Sequence, residues 1–224
     1  MCGRFTLFVV GVDLAEVMGL DAPVDLKPRY NIAPGQEVLA IRAGAKAQRE
    51  PCFLHWGLIP SWAKDSKIAY KLINARGETV HEKPSFRAAF SKRRCLLAAD
   101  GFYEWQGQGK RKQPYHIRMK TGSAFALAGL WERWEPEGGD PVESCTIITT
   151  APNALLEPIH DRMPVILPPE HHEIWLTAGP DHGATLRELL KPYPDEAMEA
   201  VAVSTLVNKP SVDDPRCVAP ATLF

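Results

Sequence analysis

RCLLAAD (94–100) runs without a break into DGFYEW (100–105). The first half is a short apolar run ending at Asp-Gly, a turn-forming pair, and reads as a strand. The second places Glu104 between Tyr103 and Trp105, again in a strand-like setting. Outward from this centre the pattern recurs: VLAIR (38–42), CFLHWG (52–57), PYHIRM (114–119), AFALAGLW (124–131), SCTIITT (144–150), PVIL (164–167) and AVAVST (200–205) read as strands, and GQGKRKQ (107–113) as a hairpin loop. Helical stretches are fewer: VDLAEVMGL (12–20), with Asp13 near its start; PSFRAAFSK (84–92), with Phe86 and Phe90 four apart; PEHHEIWLTA (169–178); and GATLRELLK (183–191). Twenty prolines and sixteen glycines keep the elements short. Strands in the middle with helices around them predict an α+β fold. One domain over residues 1–224 is expected, with a curved, largely antiparallel, barrel-like sheet and short peripheral helices.

At 224 residues and 45% hydrophobic, the chain is long enough for a substantial core. It has no apolar run of membrane-spanning length. Asp13 and Glu16 interrupt the opening MCGRFTLFVVGVDLAEV, which is therefore not a secretory signal, and a cytoplasmic protein is expected. The five cysteines are odd in number, scattered and without a C-x-x-C pair, which argues against a disulfide framework and a structural zinc site. Cys52, Cys95 and Cys145 sit in apolar strand-like stretches, as small hydrophobes do. His171-His172 lacks a third ligand at useful spacing, so no metal or other cofactor is expected. A net charge of −1 means that any polyanion site is a local patch. Its candidates are Arg4, Arg76, Arg87 and the run Lys92, Arg93, Arg94, which reads equally as a solvated turn.

Three polar residues stand in unusually apolar or constrained contexts. Asn74, in KLINARGET, follows an apolar pair and reads as a turn or cap residue or as a site group. Glu104 either points to water or sits in a pocket with a raised pKa. His160, in PIHDRMP, is a structural histidine paired with Asp161 or a proton carrier. None of these is specific alone.

Cys2 changes their weight. Methionine aminopeptidase removes Met1 when the next side chain is small, so the mature chain is expected to begin at Cys2. An N-terminal cysteine carries an amine of pKa about 7.7–8.0 beside a thiol near about 8.5. Such a 1,2-aminothiol reacts with an aldehyde: the amine forms a Schiff base, and the tethered thiol closes a five-membered thiazolidine. An internal cysteine cannot do this.

MCGRF (1–5), RYNIAPGQ (29–36), WGLIPSWAKD (56–65), INARGET (73–79), DGFYEW (100–105), KQPYHI (112–117) and IHDRMP (159–164) together resemble the SOS-response-associated peptidase family of abasic-site processing proteins. The resemblance covers nearly the whole chain. It implies that Cys2 is the reactive residue and that Asn74, Glu104 and His160 are its active-site partners. It also implies a covalent thiazolidine link to the ring-opened aldehyde of an abasic site in single-stranded DNA, and a proposed peptidase activity that includes removal of the leading residue. On that reading Glu104 and His160 move protons and Asn74 holds the amine or a sugar hydroxyl. Arg4, Arg76 and Arg87 grip phosphates, Asn31, within RYNIAPGQ, is a DNA-binding residue, and Trp62 and Phe86 stack bases or wedge strands apart, Phe86 reading equally as core. The chain is expected to be a monomer. Two rival readings remain: an N-terminal-nucleophile amide hydrolase, and a non-covalent single-strand binder.

Overall fold

The computed structural model describes residues 2–44, 48–107 and 112–221. Among these the strands are β1 (Phe5–Leu7), β2 (Arg29–Ile32), β3 (Glu37–Ala43), β4 (Arg49–Trp56), β5 (Asn74–Arg76), β6 (Arg94–Ala99), β7 (Gly101–Gln106), β8 (Gln113–Met119), β9 (Phe125–Trp134), β10 (Val142–Thr150), β11 (Met163–Pro164), β12 (Ile166–Leu167) and β13 (Met198–Ala202). The helices are α1 (Val12–Met18), α2 (Arg87–Lys92), α3 (His172–Thr177) and α4 (Gly183–Glu188), and none is long and apolar enough to cross a membrane.

Strands β4, β3, β6, β9 and β10 pair in that order, and β10 returns to β4, closing a five-stranded ring. Closure removes the exposed edges that an open sheet would present. Its one parallel seam sets Ser144 and Cys145 beside His55 and Trp56. Beyond β4, β5 joins β10 in parallel, with Asn74 beside Ile147 and Arg76 beside Thr149. β6 is buried along its whole length, which explains why RCLLAA is a continuous apolar run and not an alternating one. The chain then crosses at Asp100 into a second, antiparallel sheet of order β13-β8-β7-β1-β2. The expected curved sheet is thus a closed barrel with a second sheet against it.

The sequence reading omits β1, β2 and β5, each only three or four residues long. PVIL is divided at Val165, whose amide donates to Ile148 and whose carbonyl accepts from Ala128, so it stitches β10 to β9. Residues 108–111 of the expected hairpin loop lie outside the described residues, while Gln106 opposite Gln113 establishes the β7–β8 hairpin. The Lys92–Arg94 run is neither a basic patch nor a solvated turn. Arg94 is buried, and its guanidinium donates to the carbonyls of Phe90 (2.7 Å), Ser91 (2.8 Å), Trp175 (2.5 Å) and Ala178, closing the ends of α2 and α3. Arg93 pairs with the buried carboxylate of Glu132, and only Lys92 is exposed.

Where the two sheets meet, the Thr6 hydroxyl donates to Asp100 Oδ1 (2.5 Å) and lies 3.1 Å from His116 Nε2. That geometry assigns the neutral imidazole's proton to Nε2, and burial pulls the His116 pKa down to about 3. Gly101 passes directly over this ring, so an added Cβ would run into the imidazole. Because His116 is fully buried, it has nowhere to move. Gly101→Ala is expected to destabilise the fold by about 1–3 kcal/mol, the usual range for overpacking. Urea denaturation checks this; an unchanged midpoint would show that the ring yields freely.

Candidate active site

Chain ends usually fray, yet Cys2 is fully buried. The reason is that β1 is an inner strand: Phe5 faces Ile32 of β2 on one side and Phe102 of β7 on the other. The Tyr103 amide donates to the Arg4 carbonyl (2.9 Å), extending the contact towards the N-terminus. From the barrel side, Asn74 Nδ2 donates to the Cys2 carbonyl (2.8 Å). Asn74 is thus neither a turn nor a cap residue but the first residue of β5. Its Oδ1 is buried and has no hydrogen-bond partner among the described residues.

Glu104 lies in β7, and the pleat sends it to the face opposite Tyr103 and Trp105. Those aromatics pack instead with Val203, Val207 and Val218 in a small separate core. They do not wall the carboxylate as its sequence neighbours suggest; the interior between sheet and barrel does. Burial pushes the Glu104 carboxyl up to about 7, against the pull of the chain's amino-terminal charge and, more weakly, of Lys112, with Asp161 acting in the same direction as burial. The Glu104 charge acts in turn on Cys2, whose thiol is held far above its ordinary pKa chiefly by burial.

His160 closes the turn over residues 154–159, its amide donating to the Leu156 carbonyl (2.8 Å). Its Nε2 lies 3.7 Å from Glu104 Oε2, too far for a direct hydrogen bond and close enough for charge coupling. The Arg162 amide donates to Nδ1 (3.1 Å), which assigns the neutral-ring proton to Nε2, the nitrogen facing Glu104. Asp161 Oδ1, 3.0 Å from Nδ1, favours the protonated ring, while burial lowers the histidine's pKa. Cys2, Asn74, Glu104 and His160 thus converge from four separate parts of the chain.

Sequence reasoning missed the clamp that holds the His160 turn. Arg162 grips Glu78 with both terminal nitrogens (2.5 and 2.9 Å) and donates to the Thr149 carbonyl (2.7 Å), tying the turn to β10 and to the INARGET segment. Lys112, within range of both Glu104 and His160, was missed as well. The available signal was spacing: Arg162 is two residues after His160, and Glu78 four after Asn74.

The predicted DNA contacts divide. Arg76, at the end of β5 two residues from Asn74, is exposed and forms no ion pair among the described residues. Trp62, 57% exposed, and Arg87 line one cleft of about 480 Å³ with Ser61, Pro84, Ser85 and Glu132. The Ser61 amide donates to Glu132 (3.3 Å) and Trp134 Nε1 donates to Ala63 (2.7 Å), so two side chains of β9 hold the loop that presents Trp62. Phe86 is buried in the main core and offers no face for stacking. Asn31 is fully buried, with its amide occupied by Arg4 and by three backbone carbonyls, so it does not face a ligand. Arg4 is turned towards Asn31.

Comparison with known proteins bears on this site. The sequence model of the family described as SOS response associated peptidase (SRAP) matches residues 1–210. Abasic site processing protein YoqW of Bacillus subtilis is 47% identical over 97% of this chain and 99% of its own length. Abasic site processing protein HMCES of Xenopus tropicalis is 34% identical over 86% of this chain and 66% of its own. A crystal structure of a protein from Bacteroides thetaiotaomicron superposes with a TM-score of 0.86 at 31% identity, covering 99% of this chain and all of that one.

The Glu104 environment carries a stability signature. Its pKa is raised from 4.5 to about 7 in the folded protein, so its contribution to stability is full below about 4.5 and is lost as the pH rises through about 7. Glu104→Gln has no such loss. The variant is therefore expected to gain stability relative to the wild type between pH 5 and pH 8, measured by urea denaturation at each. Parallel pH profiles would show an unperturbed carboxylate.

Proposed function

The chain belongs to the SOS response associated peptidase family, and from that premise we propose that it processes abasic sites in single-stranded DNA, capturing the lesion as a thiazolidine through Cys2 once Met1 has been removed. The relatives' names, abasic site processing protein, supply the substrate class. Removal of Met1, by an aminopeptidase or by the site itself, leaves a free amine and thiol on Cys2.

The observation that carries the mechanism is the burial of the Glu104 carboxyl group and the Cys2 thiol in one interior with Asn74 and His160 against them, a setting that raises the pKa of both acids. A cysteine peptidase needs a thiolate, stabilised by a cation such as an imidazolium. Here burial and the Glu104 charge disfavour the thiolate, and the imidazole faces the carboxyl group. That arrangement favours the amine as first nucleophile towards the aldehyde.

The amine attacks C1′ of the ring-opened deoxyribose, and the carbonyl electron pair moves to oxygen. Glu104 takes the proton released from nitrogen, and His160 supplies one to oxygen. Loss of water leaves the imine. The sulfur then adds to the imine carbon, its proton passes to nitrogen, and the ring closes, so aldehyde and aminothiol give thiazolidine and water. Asn74 fixes the Cys2 carbonyl and presents its unpartnered Oδ1 to the amine or a sugar hydroxyl. Arg76 and Arg87 take flanking phosphates, and Trp62 gives an unpaired base a face to stack on.

Intact mass after mixing with an abasic single-stranded oligonucleotide tests this reading. Wild-type protein gains the oligonucleotide mass less one water. A chain with any residue left ahead of Cys2 binds the same DNA but forms no adduct, because its nitrogen is an amide. An equal adduct from the blocked chain would exclude the Schiff-base route.

The proton-transfer roles have their own test. Glu104→Gln is expected to slow single-turnover crosslinking by about 10²–10⁴-fold, the usual range for a general acid or base. Glu104 ionisation gives the wild-type pH–rate profile its rising limb and loss of the His160 proton its falling limb, and the Gln variant lacks the rising limb. His160→Ala shows a deficit that grows as pH falls, because the protonated imidazole is the donor. Wild-type rates for both variants across pH would remove these residues from the mechanism.

A further inference from the structure

The segment over residues 205–213 touches the reactive end of the chain from behind. It begins in a 3-10 turn (Thr205–Asn208) whose Val207 packs with Tyr103, on the face of β7 opposite Glu104. Asn31, fully buried in β2, latches it: Nδ2 donates to the carbonyls of Val207 (3.2 Å), Lys209 (3.0 Å) and Val212 (2.7 Å). Asp213 secures the far end, accepting from the amides of Tyr30 (2.5 Å) and Asn31 (2.9 Å) and from Arg29 Nε (2.6 Å).

Arg4 joins this latch to the nucleophile. Its Nη1 donates to Asn31 Oδ1 (2.7 Å) and to the Val207 carbonyl (2.7 Å). It forms no ion pair with a carboxylate among the described residues, and burial lowers its pKa. A half-buried guanidinium spent on an amide and a carbonyl oxygen is poorly placed as a mobile phosphate grip. It is well placed as a strut, because Arg4 is two residues from Cys2 and its own carbonyl accepts from Tyr103, the neighbour of Glu104. One segment thereby bears on both the nucleophile and the acid–base group.

We propose that residues 205–213 form a strap, latched through Asn31 to Arg4, that holds Cys2 in register with Glu104, and that Arg4 and Asn31 are positioning residues and not DNA contacts. The proposal rests on the crosslinking reading above. It separates turnover from binding: loosening the strap lets the amine and carboxyl group drift apart and leaves the DNA-facing surface as it was. A misplacement of the order of 1 Å costs about 10²-fold in rate.

Single-turnover crosslinking to an abasic oligonucleotide, measured as a function of DNA and salt concentration, tests it. Arg4→Ala and Asn31→Ala are expected to lower the maximal rate by roughly 10- to 100-fold. The half-saturating DNA concentration and the salt slope stay at wild-type values. Arg76→Ala gives the signature of a lost phosphate contact, weaker half-saturation with a slope flatter by about 0.7. If Arg4→Ala shows that signature at an unchanged maximal rate, the strap is wrong and Arg4 is a phosphate contact. Arg4→Lys, which keeps the charge but not the fork, and Asn31→Asp, which offers no N–H to the three carbonyls, serve where the alanine variants do not fold. Reduced maximal rates at wild-type half-saturation support the strap, and wild-type rates in both overturn it. A wild type that forms no adduct overturns the crosslinking reading, and with it the role given to the latch.

Discussion

Asp100 stands where the chain leaves the barrel and enters the second sheet, and its carboxylate accepts from the Thr6 hydroxyl and from the amides of Phe8 and Val9 (2.6 Å for Val9). Desolvation raises the pKa of this buried group, and each of these bonds works the other way. An unpaired buried carboxylate would be costly; one with three protein donors is tolerable. What the bonds secure is β1, a three-residue strand near a chain end, which on length alone would fray. With β1 fixed between β2 and β7, Cys2 enters the interior beside Glu104; without it, the thiol and amine would lie on a loose end. The candidate site is thus a consequence of how one strand is anchored.

The same burial sets the chemistry. A low-dielectric setting penalises charge on every group it encloses. It raises the Glu104 carboxyl to about 7, holds the thiol protonated and lowers the His160 imidazole. The carboxyl group therefore changes charge close to the range where an α-amine begins to lose its proton, about 7.7–8.0 unperturbed, while the imidazole is moved the other way. A carboxyl group poised in this way accepts a proton from nitrogen near neutral pH more readily than an ordinary glutamate, which suits the proposed first step.

Much of this was legible in the sequence, and the limits have identifiable causes. The longer strands were visible because burial made them continuous apolar runs, as in β6, or because turn formers bounded them. β1, β2 and β5 are too short to show a period, and two of them position site residues: β1 leads to Cys2, and β5 begins with Asn74. Of the two settings open to Glu104 in the sequence, water or a pocket, the structure has the buried one, but not because of its aromatic neighbours, which the pleat turns away. Arg94 looked like a surface cation because a linear sequence does not show four carbonyls converging on one guanidinium. Asn31 and Arg4 looked like ligand contacts for the same reason, the carbonyls that occupy them lying more than 170 residues away.

A net charge of −1 on a protein proposed to engage DNA is coherent with the proposed covalent end point. Phosphate contacts supply most non-specific affinity, so a chain whose basic groups are balanced by acidic ones holds undamaged strands weakly and leaves them readily. Four arginines are also committed internally: Arg94 to helix ends, Arg93 to Glu132, Arg162 to Glu78 and Arg4 to Asn31. Arg76 and Arg87 remain exposed, one beside Asn74 and the other beside Trp62. A reversible binder with so balanced a charge would be a poor shield. A binder whose amine and thiol close a ring on an aldehyde needs the strand only long enough for the first bond to form, and after that retention no longer depends on charge. Discrimination then comes from the carbonyl, which intact deoxyribose lacks, and weak binding elsewhere becomes an advantage because it lets the protein leave undamaged sites.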